Sequence, residues 1–487
     1  MIFCLYLFAC QSVIMPALFP PSAQKSTTHK SQNLHKEIYR SALKQIIMTK
    51  QEAAIKYITE NYLDYNRLRH DVIADKLQIR MENGWREMTK HDINSIVCHA
   101  AQEYDANITS REVMTALQSD LIPDVHPLRE YVLSCREWTE EQPDWIDFVA
   151  SQVRVKASPE SDSLEDATLR APQKSVDFSG TPLQDAAKPL QFRGEENKAD
   201  RLWRGCFKKW FVAMVASWMK DEVVNHQVLV LIGKQGIFKT TWLEHLIPPH
   251  LRAYACKLAN SNDLNKDERL RIAEFGLISL DEIDSMNNRE LNQLKSVITA
   301  TDVNERAAYA YTKERRVRLA SFCASGNRRD FLTDITGNRR WLPFEVESIQ
   351  NPFYTLLPYE RMYAQAWALA QDPLFSYWFD LEEIEVLEKH NQHFRDESNE
   401  EQLLDVYFAV PAEGASNTKF LTTAEISERL IYYGNIKRPL SLSRLGVLLS
   451  QKGFLSIRKG SPQRRGWVVY ERDNEEINAE RRILSKT

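Results

Sequence analysis

Gln227-Val228-Leu229-Val230-Leu231-Ile232, followed directly by Gly233-Lys234-Gln235-Gly236-Ile237-Phe238-Lys239-Thr240, is the stretch that decides the fold. A continuous apolar run of strand length suits a central strand buried on both faces, and the turn after it opens a helix around Thr241 to Leu246. Backbone N–H groups of such a turn wrap phosphate oxygens, and the helix start adds partial positive charge. In this reading Gly233, Gly236, Lys239, Thr240 and Thr241 bind ATP. Lys239 reaches the β and γ oxygens and Thr240 is a ligand to Mg2+. The match to G-x-x-x-x-G-K-[ST] fails at one position. Phe238 stands where the second glycine belongs, so Gly236 must supply the permissive backbone and the Phe238 ring must point away from the nucleotide. An ordinary strand-to-helix turn with an exposed lysine is the alternative this stretch leaves open.

Working outward, Phe275-Gly276-Leu277-Ile278-Ser279-Leu280 is a second apolar strand, ending in Asp281-Glu282. Leu319 to Ser325 is a third, ending at Asn327. Helical patterns separate the three, which argues for an α/β fold with a parallel sheet. A carboxylate at a strand tip, Asp281, can hold Mg2+, while Glu282 polarises an attacking water and the Asn327 amide orients it. Arg339 and Arg340 follow the Gly337 turn and are candidates for an arginine that stabilises γ-phosphate charge from an adjacent subunit. Surface ion pairs are the alternative for each.

From Arg306 to Arg340, nine cations (Arg306, Lys313, Arg315, Arg316, Arg318, Arg328, Arg329, Arg339 and Arg340) face only Glu314, Asp330 and Asp334. With Tyr309 and Tyr311 among them, the segment reads as a hairpin whose cations meet phosphates and whose rings stack on bases, Arg306, Lys313, Arg315 and Arg316 above all. Near the end of the chain, helices at Ala424 to Ile431 and Ser443 to Lys452 precede strand-like Phe454 to Arg458 and Gly466 to Tyr470. Helix, helix and a basic hairpin form a winged-helix pattern, with Lys459, Arg464 and Arg465 as DNA contacts.

The whole chain of 487 residues is close to neutral, with 63 Lys plus Arg against 67 Asp plus Glu, which excludes a polycation and places any nucleic-acid contact in a local patch. Seven scattered cysteines contain no C-x-x-C pair, so a zinc ribbon or disulfide framework is not expected and a reducing cytoplasm is. No convincing D-x-D pair for nucleotidyl transfer is present. The first twenty residues are apolar but lack the basic flank of a secretory leader; an over-extended start or an apolar tail is expected, with no membrane association. The expected divisions are a tail over 1–47, a mixed amino-terminal domain over 48–156 and a Pro- and Ser-rich linker over 157–195. The phosphate-binding core then spans 196–350, a helical extension 351–410 and the winged-helix-like domain 411–487. The core opens on an amphipathic helix from Leu202 to Met219.

GKQGIFKTTW, LISLDEID, LKSVITATDVNERAAY and FLTDITGNRRWLPFEV together resemble the virulence-associated protein E family, phage- and mobile-element-encoded P-loop proteins similar to superfamily 3 helicases. The resemblance runs from about Tyr62 to Val346. It implies an AAA+-like ATPase core in which Lys239 and Thr240 form the Walker A pair, Asp281 and Glu282 the Walker B pair, and Asn327 the sensor. Lys295 to Lys313 would be the helicase-like segment. It also implies a homo-oligomeric ring, possible hexamers included, acting on single-stranded or forked DNA in replication of a mobile element, with other replication proteins of that element as partners. The HNQHF helix and the carboxy-terminal pattern resemble the extension of Bacteroidetes-type members, including those of mobilizable transposons. The region around His126-Pro127-Leu128-Arg129-Glu130-Tyr131 is similar to the part called primase-associated. A DNA-binding switch or a defence protein without unwinding activity remains the alternative, as does a DNA-binding adaptor whose ATPase core is degenerate because of Phe238.

Overall fold

A computed structural model describes residues 48–82, 84–157, 198–258, 271–305, 314–332, 338–396, 399–412, 418–434, 441–461 and 463–484. Two units partition the chain, the first ending at His126 and the second beginning at Pro127. The expected tail over 1–47 and nearly all of the expected linker lie outside the described residues.

In the first unit, helices α1 (Lys50–Ile58), α2 (Lys90–Glu103) and α3 (Ser110–Leu117) each start at a threonine, Thr49, Thr89 and Thr109, that closes a reciprocal capping box with an acid three residues on. Strands β1 (Leu68–Asp71), β2 (Lys76–Met81), β3 (Gly84–Glu87) and β4 (Asp124–Val125) form a sheet in the order β3-β2-β1-β4. Ala54, Ile58, Leu68, Ile96 and Val113 fill its core.

The second unit opens with α4 (Pro127–Ser134) and α5 (Trp145–Ala150), then β5 (Val153–Val155) and α6 (Lys198–Met219). Next come β6 (Val228–Ile232), α7 (Lys239–His245), β7 (Ala255–Leu258), β8 (Leu277–Leu280), α8 (Asn288–Thr299), β9 (Asp302–Glu305), β10 (Glu314–Val317), β11 (Ser321–Gly326) and β12 (Trp341–Ile349). Among the described residues the central sheet has six strands in the order β5-β12-β6-β11-β8-β7. Its pairings are parallel from β12 to β7, and β5 closes the other edge antiparallel to β12. The expected end of the amino-terminal domain at 156 is therefore moved: β5 pairs with the last strand of the large sheet, so 127–155 belongs to the second unit.

All three apolar runs became strands with every residue buried. Burial on both faces removes the alternation a half-exposed strand would show. β11 lies between β6 and β8, so the turn after β6 and the carboxylates after β8 flank the end of an intervening strand. The chain leaves β6 for edge strand β7, returns inward through β8 to β11, and then crosses β6 to β12. Successive connections thus run in opposite directions across the sheet beside β6 and β11, the arrangement that opens a crevice at the carboxyl ends of strands.

Helix α6 is not amphipathic in the expected sense. Nearly all of it from Trp203 to Trp218 is buried, because α5 and the later helix α9 (Tyr359–Gln371) both pack on it. Its buried cations are matched: Lys208 pairs with Asp144, and Lys209 holds both Glu383 oxygens at 2.6 and 2.7 Å. Glu383 sits on α10 (Leu381–Gln392). The HNQHF residues at the end of α10 clamp the start of β12. His390 Nε2 donates to Pro343 O at 2.7 Å, and Asn391 Nδ2 donates to Asn338 O and Trp341 O. Phe394 closes the sheet core beside Phe331 and Trp341.

Beyond α10, helix α11 (Asn399–Tyr407) and strands β13 (Phe408–Ala409) and β14 (Thr418–Leu421) lead to α12 (Thr423–Gly434) and α13 (Leu442–Gln451). A hairpin of β15 (Leu455–Lys459) and β16 (Arg464–Glu471) follows, then α14 (Asn474–Leu484). β16 pairs antiparallel with β13, β14 and β15, and Ile426, Leu430, Leu448, Trp467 and Val469 pack between its sheet and the helices.

Among the described residues no helix is long and apolar enough to cross a membrane.

Candidate nucleotide-binding cleft

The turns after β6, β8 and β11 enclose a cleft of about 330 Å³. Lys239 begins α7 and is buried, yet its ammonium turns back to donate to Gly233 O and Lys234 O, both at 2.7 Å, and to Asn327 Oδ1 at 3.3 Å. Burial pulls its pKa below the ordinary lysine value, while Asp284 and Asp281 oppose the shift. Thr240 Oγ1 lies 3.2 Å from Asp281 Oδ1 and 2.9 Å from Ser325 Oγ, and Ser325 Oγ donates to the same Asp281 oxygen at 2.7 Å.

Five residues other than glycine have positive φ among the described residues, and three are Asn or Asp, which tolerate it. The other two are Phe238, at φ 68°, and Glu282, at φ 51°, and both line the cleft. Left-handed backbone at such residues costs roughly 1–3 kcal/mol, and strain of this kind collects where a site over-determines the chain. The structure thus answers the question posed by Phe238: it takes the left-handed conformation itself, and its ring meets Phe353 at 6.5 Å. Gly326 is required for a different reason. A Cβ there would come within 2.8 Å of both Asp284 Oδ1 and Ile232 Cδ1.

Three cleft residues were not singled out from sequence. Ser325 bridges Thr240 and Asp281 as described. Asp284 accepts from the Asn327 N–H at 3.2 Å and the Arg328 N–H at 3.1 Å, tying the turn after β8 to the end of β11. Lys257, on edge strand β7, places its Nζ 2.8 Å from Asp281 Oδ2. Burial pushes the Asp281 carboxyl up, but Lys257, Ser325 and Thr240 together hold it below its usual value. Asp284 had a weak signal in its spacing after Asp281. Lys257 had none, because its partner is set by the β7–β8 pairing.

Gly233, Gly236, Lys239, Thr240, Thr241, Asp281, Glu282 and Asn327 therefore gather at one end of the sheet. Arg339 and Arg340 do not join them. They precede Trp341, which is level with Val228 at the start of β6, so they sit a strand length, about 15 Å, from the cleft of their own chain. There burial lowers the pKa of His226, and the charges of Arg318, Arg340 and Arg339 add to that shift.

Of the expected DNA contacts, Arg306 and Lys313 lie outside the described residues. Arg315 pairs with Asp302 at 2.7 Å and Arg316 with Glu274 at 3.6 Å. Arg318, counted with the basic hairpin from sequence, is instead 1% exposed and donates to the carbonyls of Ala320, Ile298, Ala300 and Asn225. Burial lowers its pKa to about 9, still high enough to keep the guanidinium charged at neutral pH. Lys459, Arg464 and Arg465 stand exposed on the β15–β16 hairpin, Lys459 opposite Arg464 and Arg458 opposite Arg465. Like charges directly across a ladder destabilise it.

Residues 186–402 match the family model of the virulence-associated protein E-like domain, a span that contains β6 to β12, α9 and α10. No curated protein matches the chain. Among solved structures, the apo C-terminal region of NrS-1 is similar at 12% identity and a TM-score of 0.41, over 84% of this chain and 97% of that one. A second structure of that region, described as its A form, gives 11% identity and a TM-score of 0.41 over 84% and 98%.

Proposed function

We propose that the cleft binds Mg2+-ATP and that the protein is an ATP-hydrolysing DNA motor or loader serving replication of a phage or mobile element. The observation that carries this reading is the convergence of Lys239, Thr240, Asp281, Glu282 and Asn327 on one cleft whose rim holds two left-handed residues. The donor set suits Mg2+, which takes one or two carboxylates and completes its shell with water and substrate phosphates. Thr240 Oγ1 and Asp281 Oδ1, 3.2 Å apart, would hold it, and Mg2+ when bound neutralises charge on the β and γ oxygens. Lys239 leaves its two backbone carbonyls to reach the phosphates. Glu282, exposed at the rim, accepts the proton of the attacking water, and Asn327 orients that water.

Arg339 and Arg340 serve a neighbouring subunit in this reading, since their own chain holds them away from its cleft. The paired helices α12 and α13 with the β15–β16 hairpin act as a winged-helix-like DNA contact, its like-charged cross-strand pairs relieved by phosphate.

A test is ATP binding and turnover, with and without single-stranded DNA, for the parent chain, Lys239→Ala and Glu282→Gln. DNA-stimulated turnover is expected in the parent. Lys239→Ala should lose at least about tenfold in nucleotide affinity, and Glu282→Gln should bind normally but turn over roughly a hundredfold slower or worse. Mixing Lys239→Ala chains with Arg339→Ala/Arg340→Ala chains should restore turnover that neither has alone. Failure to restore it removes the intersubunit arginine. The Lys257–Asp281 pair favours a second reading, a nucleotide-gated DNA-binding switch, because an ammonium already engages the metal-site carboxylate. ATP binding without turnover in the parent would establish that alternative.

A further inference from the structure

The cleft is small, at the lower end of the ~300–1,000 Å³ of ligand sites, and its polar groups answer to phosphates and metal, not to a nucleobase. Sheet order says where the base must go. Glu282 and Asn327, which define the γ-phosphate end, follow β8 and β11 on one side of β6, so a nucleotide laid across the turn after β6 extends toward β12. On that side the chain leaving β12 makes a tight turn. Asn351 Oδ1 accepts from Phe353 N–H at 3.0 Å, and Asn351 O accepts from Tyr354 and Thr355 N–H at 3.1 and 3.2 Å.

This turn presents Phe353, which is 65% exposed. Its ring stands nearly perpendicular to Phe238, with centroids 6.5 Å apart, and to His245, at 5.6 Å. Both partners lead back to the cleft: Phe238 lines it, and His245 Nδ1 bonds the carbonyl of Thr241, another lining residue. The turn cannot drift from the cleft, because Tyr359 and Tyr363 hydroxyls donate to His245 O and Leu246 O at the end of α7. An exposed phenyl held this firmly gains little from packing in the chain itself.

Building on the phosphate reading of the cleft, we propose that Phe353, backed by Phe238 and His245, is the platform on which the base of the bound nucleotide stacks. Recognition there is by the π-face, which every base has, so ATP and GTP bind with similar affinity. Phe238 in place of glycine is then not a lesion in the turn but part of the base site, its left-handed backbone leaving the phosphate side open and its ring supporting Phe353.

The experiment measures affinities of the full chain, Phe353→Ala and Phe353→Tyr for ATP, GTP and inorganic tripolyphosphate, each with Mg2+. Phe353→Ala should weaken ATP and GTP about tenfold and leave tripolyphosphate unchanged, and Phe353→Tyr should bind all three like the parent. Equal losses for tripolyphosphate and ATP, or an ATP affinity indifferent to Phe353→Ala, overturn the platform while leaving the phosphate site standing. A parent chain that binds neither ATP nor tripolyphosphate overturns both. Lys239→Ala, which should lose all three ligands together, marks the phosphate contribution separately.

Discussion

Two basic hairpins lie in the second unit, and they use their cations in opposite ways. At β9–β10 and the residue after it, Arg315 faces Asp302, Arg316 faces Glu274, and Arg318 is buried among four carbonyls, joining the end of α8 to the segment before β6. At β15–β16, Lys459 and Arg464 stand opposite one another in solvent. Both segments read as basic, yet among the described residues the second presents cations against one another in solvent and the first pairs or buries them. A count of arginines measures charge, and only placement says whether that charge holds the fold or waits for an anion.

The sharpest way to break this comparison is Arg318→Ala. If Arg318 is a structural tie, its loss leaves buried carbonyls without a donor and lowers unfolding stability by at least about 3 kcal/mol, measured by urea denaturation. A near-neutral effect would return Arg318 to the nucleic-acid surface. His390 tests the clamp that positions β12. Burial holds its pKa at about 4 against the ordinary 6.5, so the unfolded chain takes up a proton that the folded chain refuses. Stability is therefore full above pH 6.5 and falls as pH drops from 6.5 toward 4, by up to about 3 kcal/mol. His390→Gln should flatten the slope of stability against pH in that window. A slope unchanged by the substitution would show that other groups set it.

A smaller effect belongs to the exposed hairpin. Replacing Lys459, Arg464 and Arg465 together with Ala should weaken single-stranded DNA binding about tenfold near physiological salt and reduce the log–log salt slope by roughly 2. Arg315→Ala, the matching change on the first hairpin, should move stability by less than about 0.5 kcal/mol and the salt slope less than the triple change does. The reverse order of slopes would mean that the first hairpin tracks the strand.

Much of the fold was legible because buried strands and helix starts are local chemistry. The runs at Val228, Leu277 and Ser321 needed no tertiary information. Phe238 was visible as a departure, but its left-handed backbone and its neighbour Phe353 were not. Lys257 and Ser325 were silent because strand pairing alone brings them to Asp281. The amphipathic reading of α6 failed because helices cover the side expected to face water, where Lys208 and Lys209 find carboxylates from α10 and the segment before α5.

The sequence by itself determined that three largely apolar strands are separated by helical patterns and that Lys239, Asp281, Glu282 and Asn327 each follow a strand end. That order follows from periodicity and turn chemistry within a few residues. Only the tertiary structure decided that β11 separates β6 from β8, that Arg339 and Arg340 lie at the far end of the sheet, and that Arg318 faces inward. Those outcomes depend on which strands pair across long stretches of chain, and on the free energy of burying each charge where a partner can meet it.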